Sequence, residues 1–174
     1  VDYKRDLTKA VTRKGLPILY KQDTTNDLFT LCFVLPFGDE HNPKLNYAAG
    51  YLDYLGTDKL TNEQIKQQFY KLACDYSISE RNERTYITLN GLNSNLPQAL
   101  ALLNNLVSNA KVDRQAYDLY VEQILKSRSD NKANQQTNFS ALRNYATYGT
   151  YNPTRNILSE QRSEEHTSEL QSPA

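Results

Sequence analysis

The side chains able to do chemistry fall in four places. His41 lies in Phe37-Gly38-Asp39-Glu40-His41-Asn42-Pro43, where Asp39, Glu40 and His41 offer a candidate metal loop. Adjacent residues point in different directions, whereas hard-metal loops space their ligands at alternate positions, so a solvated loop leading into a helix cap fits better. Cys32 and Cys74 are the two thiols. A cysteine nucleophile needs a base in reach, and His41 is the candidate. Cys32 sits in a buried-strand pattern and Cys74 at a helix end, so both read as small hydrophobes. A disulfide between them needs an oxidising compartment and a short Cα separation. Glu80, Arg81, Glu83 and Arg84 crowd a turn, which predicts a solvated cluster with opposite charges paired across the strands. Thirteen tyrosines are the largest excess. Tyr47, Tyr51, Tyr54, Tyr117 and Tyr120 accompany Leu on helix faces, which predicts core packing with the hydroxyl at the rim, or a surface for peptide or sugar. Glycine-rich phosphate loops, a GxSxG elbow and paired-Cys zinc motifs are missing.

The elements that must position these groups follow from periodicity. Leu16–Tyr20 and Leu28–Leu35 are apolar runs around a turn-forming Asp23–Asp27, which predicts a β-hairpin. Leu45, Ala48, Ala49, Leu52 and Leu55 fall on one helical face, with Asn42 as cap, Pro43 in the first turn and Gly56 as a left-handed stop. Thr61 and Gln64 make a capping box for a second helix with Ile65, Phe69, Leu72 and Ala73 inside. Asp75–Glu80 and Thr85–Leu92 read as a second hairpin, apolar on the Ile87/Leu89 face. A third helix carries Leu96, Leu100, Leu103, Leu106 and Val107. Asp113 caps a fourth with Ala116, Tyr120, Val121, Ile124 and Leu125. A polar stretch over 130–138 leads to a shorter helix around Phe139, Leu142 and Tyr145, broken at Tyr148–Pro153. The order ββ-αα-ββ-αα-α predicts an α+β fold of two layers, with helices packed on one face of a mainly antiparallel sheet.

The chain has 174 residues, enough for one domain, and no run of 18 apolar residues to cross a membrane as a helix. Twenty basic residues balance twenty acidic ones, which argues against nucleic acid as the main partner. The chain begins at Val1 and contains no Met, so a lost natural start is expected, and with it any leader that would reveal the compartment. Arg162–Ser172 resembles the in-frame translation of a common sequencing adapter, so residues 162–174 are expected to be a disordered artefact. That tail holds one Arg, three Glu and His166; without it the net charge is +2 and His41 is the one histidine left. Residues 1–15 read as a charged connector and 16–161 as the domain, truncated at its end, so that the last helices show apolar surface.

Several phrases in order resemble one family. They are Leu16-Pro17-Ile18-Leu19-Tyr20, Phe33-Val34-Leu35-Pro36-Phe37-Gly38, Tyr51-Leu52-Asp53-Tyr54-Leu55-Gly56-Thr57, Phe69-Tyr70-Lys71-Leu72, Tyr86–Leu92, Tyr148-Gly149 and Asn152-Pro153. Together they resemble the pitrilysin/insulinase family of zinc metallopeptidases, the inverzincins. More narrowly they are similar to the non-catalytic C-terminal half of the long Bacteroidetes-type members.

The resemblance implies a domain without its own cofactor. An active half carries H-x-x-E-H on the helix after the first hairpin, with two zinc-binding His and a Glu base. Aligned on Gly56-Thr57, Tyr47 and Tyr51 take the His positions and Gly50 the Glu position, with Glu122 or Gln123 at the third-ligand position. No catalytic residue and no metal site is therefore expected in this segment, and zinc belongs to the catalytic half of the parent protein. The implied role is to form a chamber and enclose a peptide substrate. The partner is the catalytic half of the same chain or an active homologous subunit, and the compartment is the cell envelope or periplasm. Two other readings are a separately encoded inactive homologue, acting as partner or structural subunit of an active zinc peptidase, and a stand-alone α+β binding module with Asp39-Glu40-His41 as a metal loop.

Overall fold

A computed structural model of the chain describes residues 7–38, 40–81 and 83–151. The described residues open with strands β1 (Thr8–Val11) and β2 (Pro17–Tyr20), paired antiparallel, and continue into β3 (Leu28–Leu35). Helix α1 (Lys44–Leu52), the two-residue strand β4 (Gly56–Thr57) and helix α2 (Asn62–Lys71) follow. Then come β5 (Cys74–Arg81), β6 (Arg84–Leu92), α3 (Leu96–Asn109), β7 (Ala110–Lys111), α4 (Arg114–Ala133) and α5 (Gln135–Tyr148). The main sheet has the order β3-β6-β5, and all its ladders are antiparallel. The α+β expectation is met.

The pairing of the first strands differs from the one the sequence suggests. β2 pairs with β1 rather than with β3, so the expected connector over 1–15 contains a strand, and a boundary at residue 16 would cut a hairpin. β3 instead crosses to β6, with Leu31 opposite Leu89. Asp23 explains part of this. Its carboxylate accepts from the Thr25 amide and hydroxyl and from the Asn26 side chain, making a local turn that spaces β2 from β3 without joining them.

The helices cover one face of the main sheet because strand alternation puts its apolar residues there. Leu89, at 0% exposure, lies between Leu31 and Tyr76 in register and packs beneath Ile65, Phe69, Leu103 and Leu106. The capping box of α2 forms as the sequence implies: the Gln64 amide donates to Thr61 Oγ1 and the Thr61 amide to Gln64 Oε1. Four details differ. The α3 stripe is Ala99, Leu102, Leu103 and Leu106, while Val107 is exposed. Ala73 is exposed, carried out of the α2 stripe by a left-handed backbone at φ 48°. Gly56 is not a left-handed stop. It lies in β4, where a Cβ would come within 2.6 Å of the Leu60 carbonyl. The polar stretch after residue 130 is helical to Ala133, and Asn134 then caps α5 by accepting from the Thr137 amide. On α5, Phe139, Leu142, Tyr145 and Tyr148 are exposed. No helix of the described residues is long and apolar enough to cross a membrane.

Leu89→Ala removes side-chain packing at a fully buried site and should cost about 2–5 kcal/mol. Val107→Ala, which the sequence stripe would rank as equal, should stay within about 0.5 kcal/mol. Urea denaturation of the two variants checks this.

Candidate functional site

The tyrosine-bearing face of α1 is brought against α4 by the short elements around it. β4 pairs with β7, Gly56 opposite Lys111 and Thr57 opposite Ala110, which sets the start of α4 beside α1. Asn62 reinforces this from α2 by donating its side-chain amide to the carbonyls of Asp53 (2.8 Å) and Leu55 (3.1 Å). Asp113 caps α4 through its carboxylate, which accepts from the amides of Gln115 and Ala116.

Within this frame Tyr51 is the buried residue of α1, at 7% exposure. Ala48, expected on the buried face, is exposed. The Tyr51 hydroxyl donates to the Asp113 carbonyl at 2.5 Å and accepts from the Asp113 amide at 3.1 Å. Its ring meets Tyr117 edge-on at 5.4 Å and stacks with Tyr120 at 6.0 Å. Tyr120 lies over Gly50: a Cβ at residue 50 would be 3.1 Å from Tyr120 Cζ and closer still to its hydroxyl. The Tyr54 hydroxyl donates to Gln123 Oε1, and the Tyr54 ring lies 5.2 Å from Tyr120. Arg128 donates to the Tyr47 hydroxyl at 3.0 Å, with its guanidinium 5.9 Å from the ring centre. Glu122 is exposed. Burial, followed by neighbouring Tyr47 and Tyr54, pushes the Tyr120 phenol up to about 12. Burial also raises Tyr51. Both are neutral hydroxyls at physiological pH.

A family model for "Insulinase (Peptidase family M16)" matches residues 43–161. The chain belongs to this family of metallopeptidases, which is generally zinc-dependent. No curated protein matches the chain significantly. Among solved structures it is similar to the periplasmic protease PqqL from Escherichia coli, with TM-score 0.70 and 14% identity, over 92% of this chain and 18% of that one. A peptidase M16 inactive domain from Pseudomonas fluorescens gives TM-score 0.69 and 16% identity, over 92% of this chain and 42% of that one. The ferredoxin protease FusC, solved in complex with Arabidopsis ferredoxin, gives TM-score 0.68 and 8% identity, over 95% and 20%. These likenesses show the fold, and this insulinase-family chain spans less than half the length of each.

The other sequence candidates are not brought together. Both cysteines are free; Cys74 is buried, but Cys32 is exposed, because alternation places it on the helix-free side of β3. His41 is occupied within its own loop, accepting from the Gly38 amide at 3.3 Å and stacking on Phe37. Asp39 lies outside the described residues, among which no group of three metal-binding side chains converges. Residues 162–174 and Asn152-Pro153 also lie outside them. At the second hairpin the register sets Arg81 opposite Arg84, so like rather than opposite charges face each other there. Sequence reasoning missed Asp113 as the backbone partner of Tyr51 and Arg128 as the partner of Tyr47. Only the cap at Asp113 left a local signal.

Gly50→Ala forces Tyr120 aside and should cost about 1–3 kcal/mol. Tyr51→Phe leaves the Asp113 amide unpaired, while the Asp113 carbonyl keeps the Tyr117 amide as donor, and should cost a similar amount, about 1–3 kcal/mol, in urea unfolding. The Tyr120 phenol ionises later in the folded chain than at its ordinary 10.0. Its contribution is therefore complete below pH 10 and lost as pH rises toward about 12. Tyrosinate absorbance should show a late-titrating class that disappears on unfolding.

Proposed function

We propose that residues 8–161, from the start of β1, are a non-catalytic, chamber-forming and peptide-enclosing region of a zinc-dependent metallopeptidase. One observation carries the reading: hydrogen bonds and ring contacts of tyrosines hold α1 against α4 where an active member would carry its metal. By resemblance Tyr47 and Tyr51 stand at the two histidine positions and Gly50 at the glutamate position of H-x-x-E-H, with Glu122 or Gln123 as third ligand. These residues do not fit zinc. A zinc site takes Cys, His or carboxylate donors in tetrahedral geometry. The Tyr51 oxygen is already committed to the Asp113 backbone, and burial raises its pKa. Tyr47 accepts from a cationic guanidinium, Gly50 supplies no base, and the space above it holds Tyr120.

The partner is then the catalytic half of the same polypeptide or an active homologous subunit, which supplies the zinc, and the substrate is a peptide or an unfolded segment. The name of the Pseudomonas fluorescens domain supports the inactive reading, and PqqL supports a periplasmic setting. The family match ending at residue 161 supports that boundary for the domain.

Calorimetric titration of the 174-residue chain with zinc should show no tight equimolar site, and the chain alone should cleave no peptide. Tight equimolar binding, lost in Tyr51→Phe, would overturn the reading.

A further inference from the structure

The helix-free face of the main sheet carries polar rows that end at a pair of arginines. The register sets Thr30, Asn90 and Asp75 in one row, Cys32, Thr88 and Ser77 in the next, and Val34, Tyr86 and Ser79 in the third. The first row is hydrogen-bonded across, Thr30 Oγ1 to Asn90 Oδ1 at 2.9 Å and Asn90 Nδ2 to Asp75 Oδ2 at 3.3 Å. Arg81 and Arg84 form the fourth row. Like charges directly opposite one another are unfavourable. Among the described residues, neither guanidinium has a hydrogen-bond or ion-pair partner.

These arginines line a cleft of about 340 Å³ with Glu40, Glu83 and Tyr86. Its far wall is fixed, because Thr85 donates its hydroxyl to the Phe37 carbonyl at 2.7 Å and Phe37 stacks on His41 at 5.1 Å. The hairpin and the loop bearing Glu40 are thereby held together. Two guanidinium forks match a carboxylate in charge and planarity, and the Tyr86 phenol is a further donor. Glu40 and Glu83 cancel the net charge, so a simple anion gains little from the field. They accept from N–H groups instead. A peptide offers both, a carboxylate and amide N–H donors on the same few atoms.

We propose that Arg81, Arg84 and Tyr86 anchor a peptide carboxylate, with the rest of the peptide extended along the polar rows toward Asp75. From Arg84 to Asn90 the strand runs about 20 Å, the length of about six extended residues. The inference rests on the peptide-enclosing reading for its substrate class and adds to it the end of the peptide that is held.

Fluorescence anisotropy of the 174-residue chain tests this with three versions of one labelled hexapeptide at low ionic strength. One has a free C-terminus, one a C-terminal amide, and one an amide with a single internal Asp. The free acid should bind about tenfold tighter than the plain amide. Arg81→Gln/Arg84→Gln, which alters two exposed side chains, should abolish that difference and leave amide binding unchanged. If the Asp peptide matches the free acid, the anchor takes side-chain carboxylates as well; if it matches the amide, it takes the terminus alone. Either result supports a carboxylate anchor. Equal binding of acid and amide, or a variant that weakens all three peptides alike, overturns the anchor and leaves the enclosing role standing. Binding of none overturns both.

Discussion

One phenol holds α1 against α4. The Tyr51 hydroxyl both donates to and accepts from the backbone of Asp113, 62 positions away in sequence. Asp113 is the cap of α4, so fixing its backbone fixes where that helix starts and which way it runs. The remaining contacts follow from that placement. With α4 laid along α1, Tyr120 arrives over Gly50, Gln123 reaches Tyr54, and Arg128, further along α4, reaches Tyr47. A side chain at residue 50 would push Tyr120 aside, so the glycine lets the aromatic ring lie close over α1.

On the proposed reading, the same constraint lets an insulinase-family domain keep its architecture without carrying the metal. On that reading, a zinc site and a tyrosine cluster are two ways to join α1 to α4. One does so through ligands on a shared ion, the other through hydroxyls, rings and one guanidinium. Neutral buried phenols need no counter-charge, whereas a row of buried carboxylates would. On the reading proposed here the domain contributes shape and surface, and its polar sheet face, remote from the helices, is where a substrate would meet it.

Legibility in the sequence followed the range of each interaction. Thr61 with Gln64, and Asp113 with the first turn of α4, were readable because a cap and its partners lie within three residues. The alternation of Tyr86, Ile87, Thr88 and Leu89 was readable because period two is a local property. The partner of β3 was not. Nearness in sequence favoured β2, while the structure is decided by a ladder to β6, some 60 residues on, whose core side Leu89 completes. Val107 and Cys32 failed for a related reason: an apolar residue at the border of a stripe, or on either face of an edge strand, carries no mark of what will cover it. The tyrosines were legible as an excess on helix faces. Their partners Asp113 and Arg128 were not, since a backbone group and a distant cation leave no local pattern.

The central claim is that α1 and α4 are closed on each other by side chains, with no part left for a metal. Amide hydrogen exchange over Lys44–Leu52 and at Asp113, with and without equimolar zinc, tests it most directly. The account predicts that the Asp113 amide and the α1 amides are protected in the metal-free chain and that zinc leaves their exchange unchanged. Fast exchange in α1 that slows when zinc is added would contradict it.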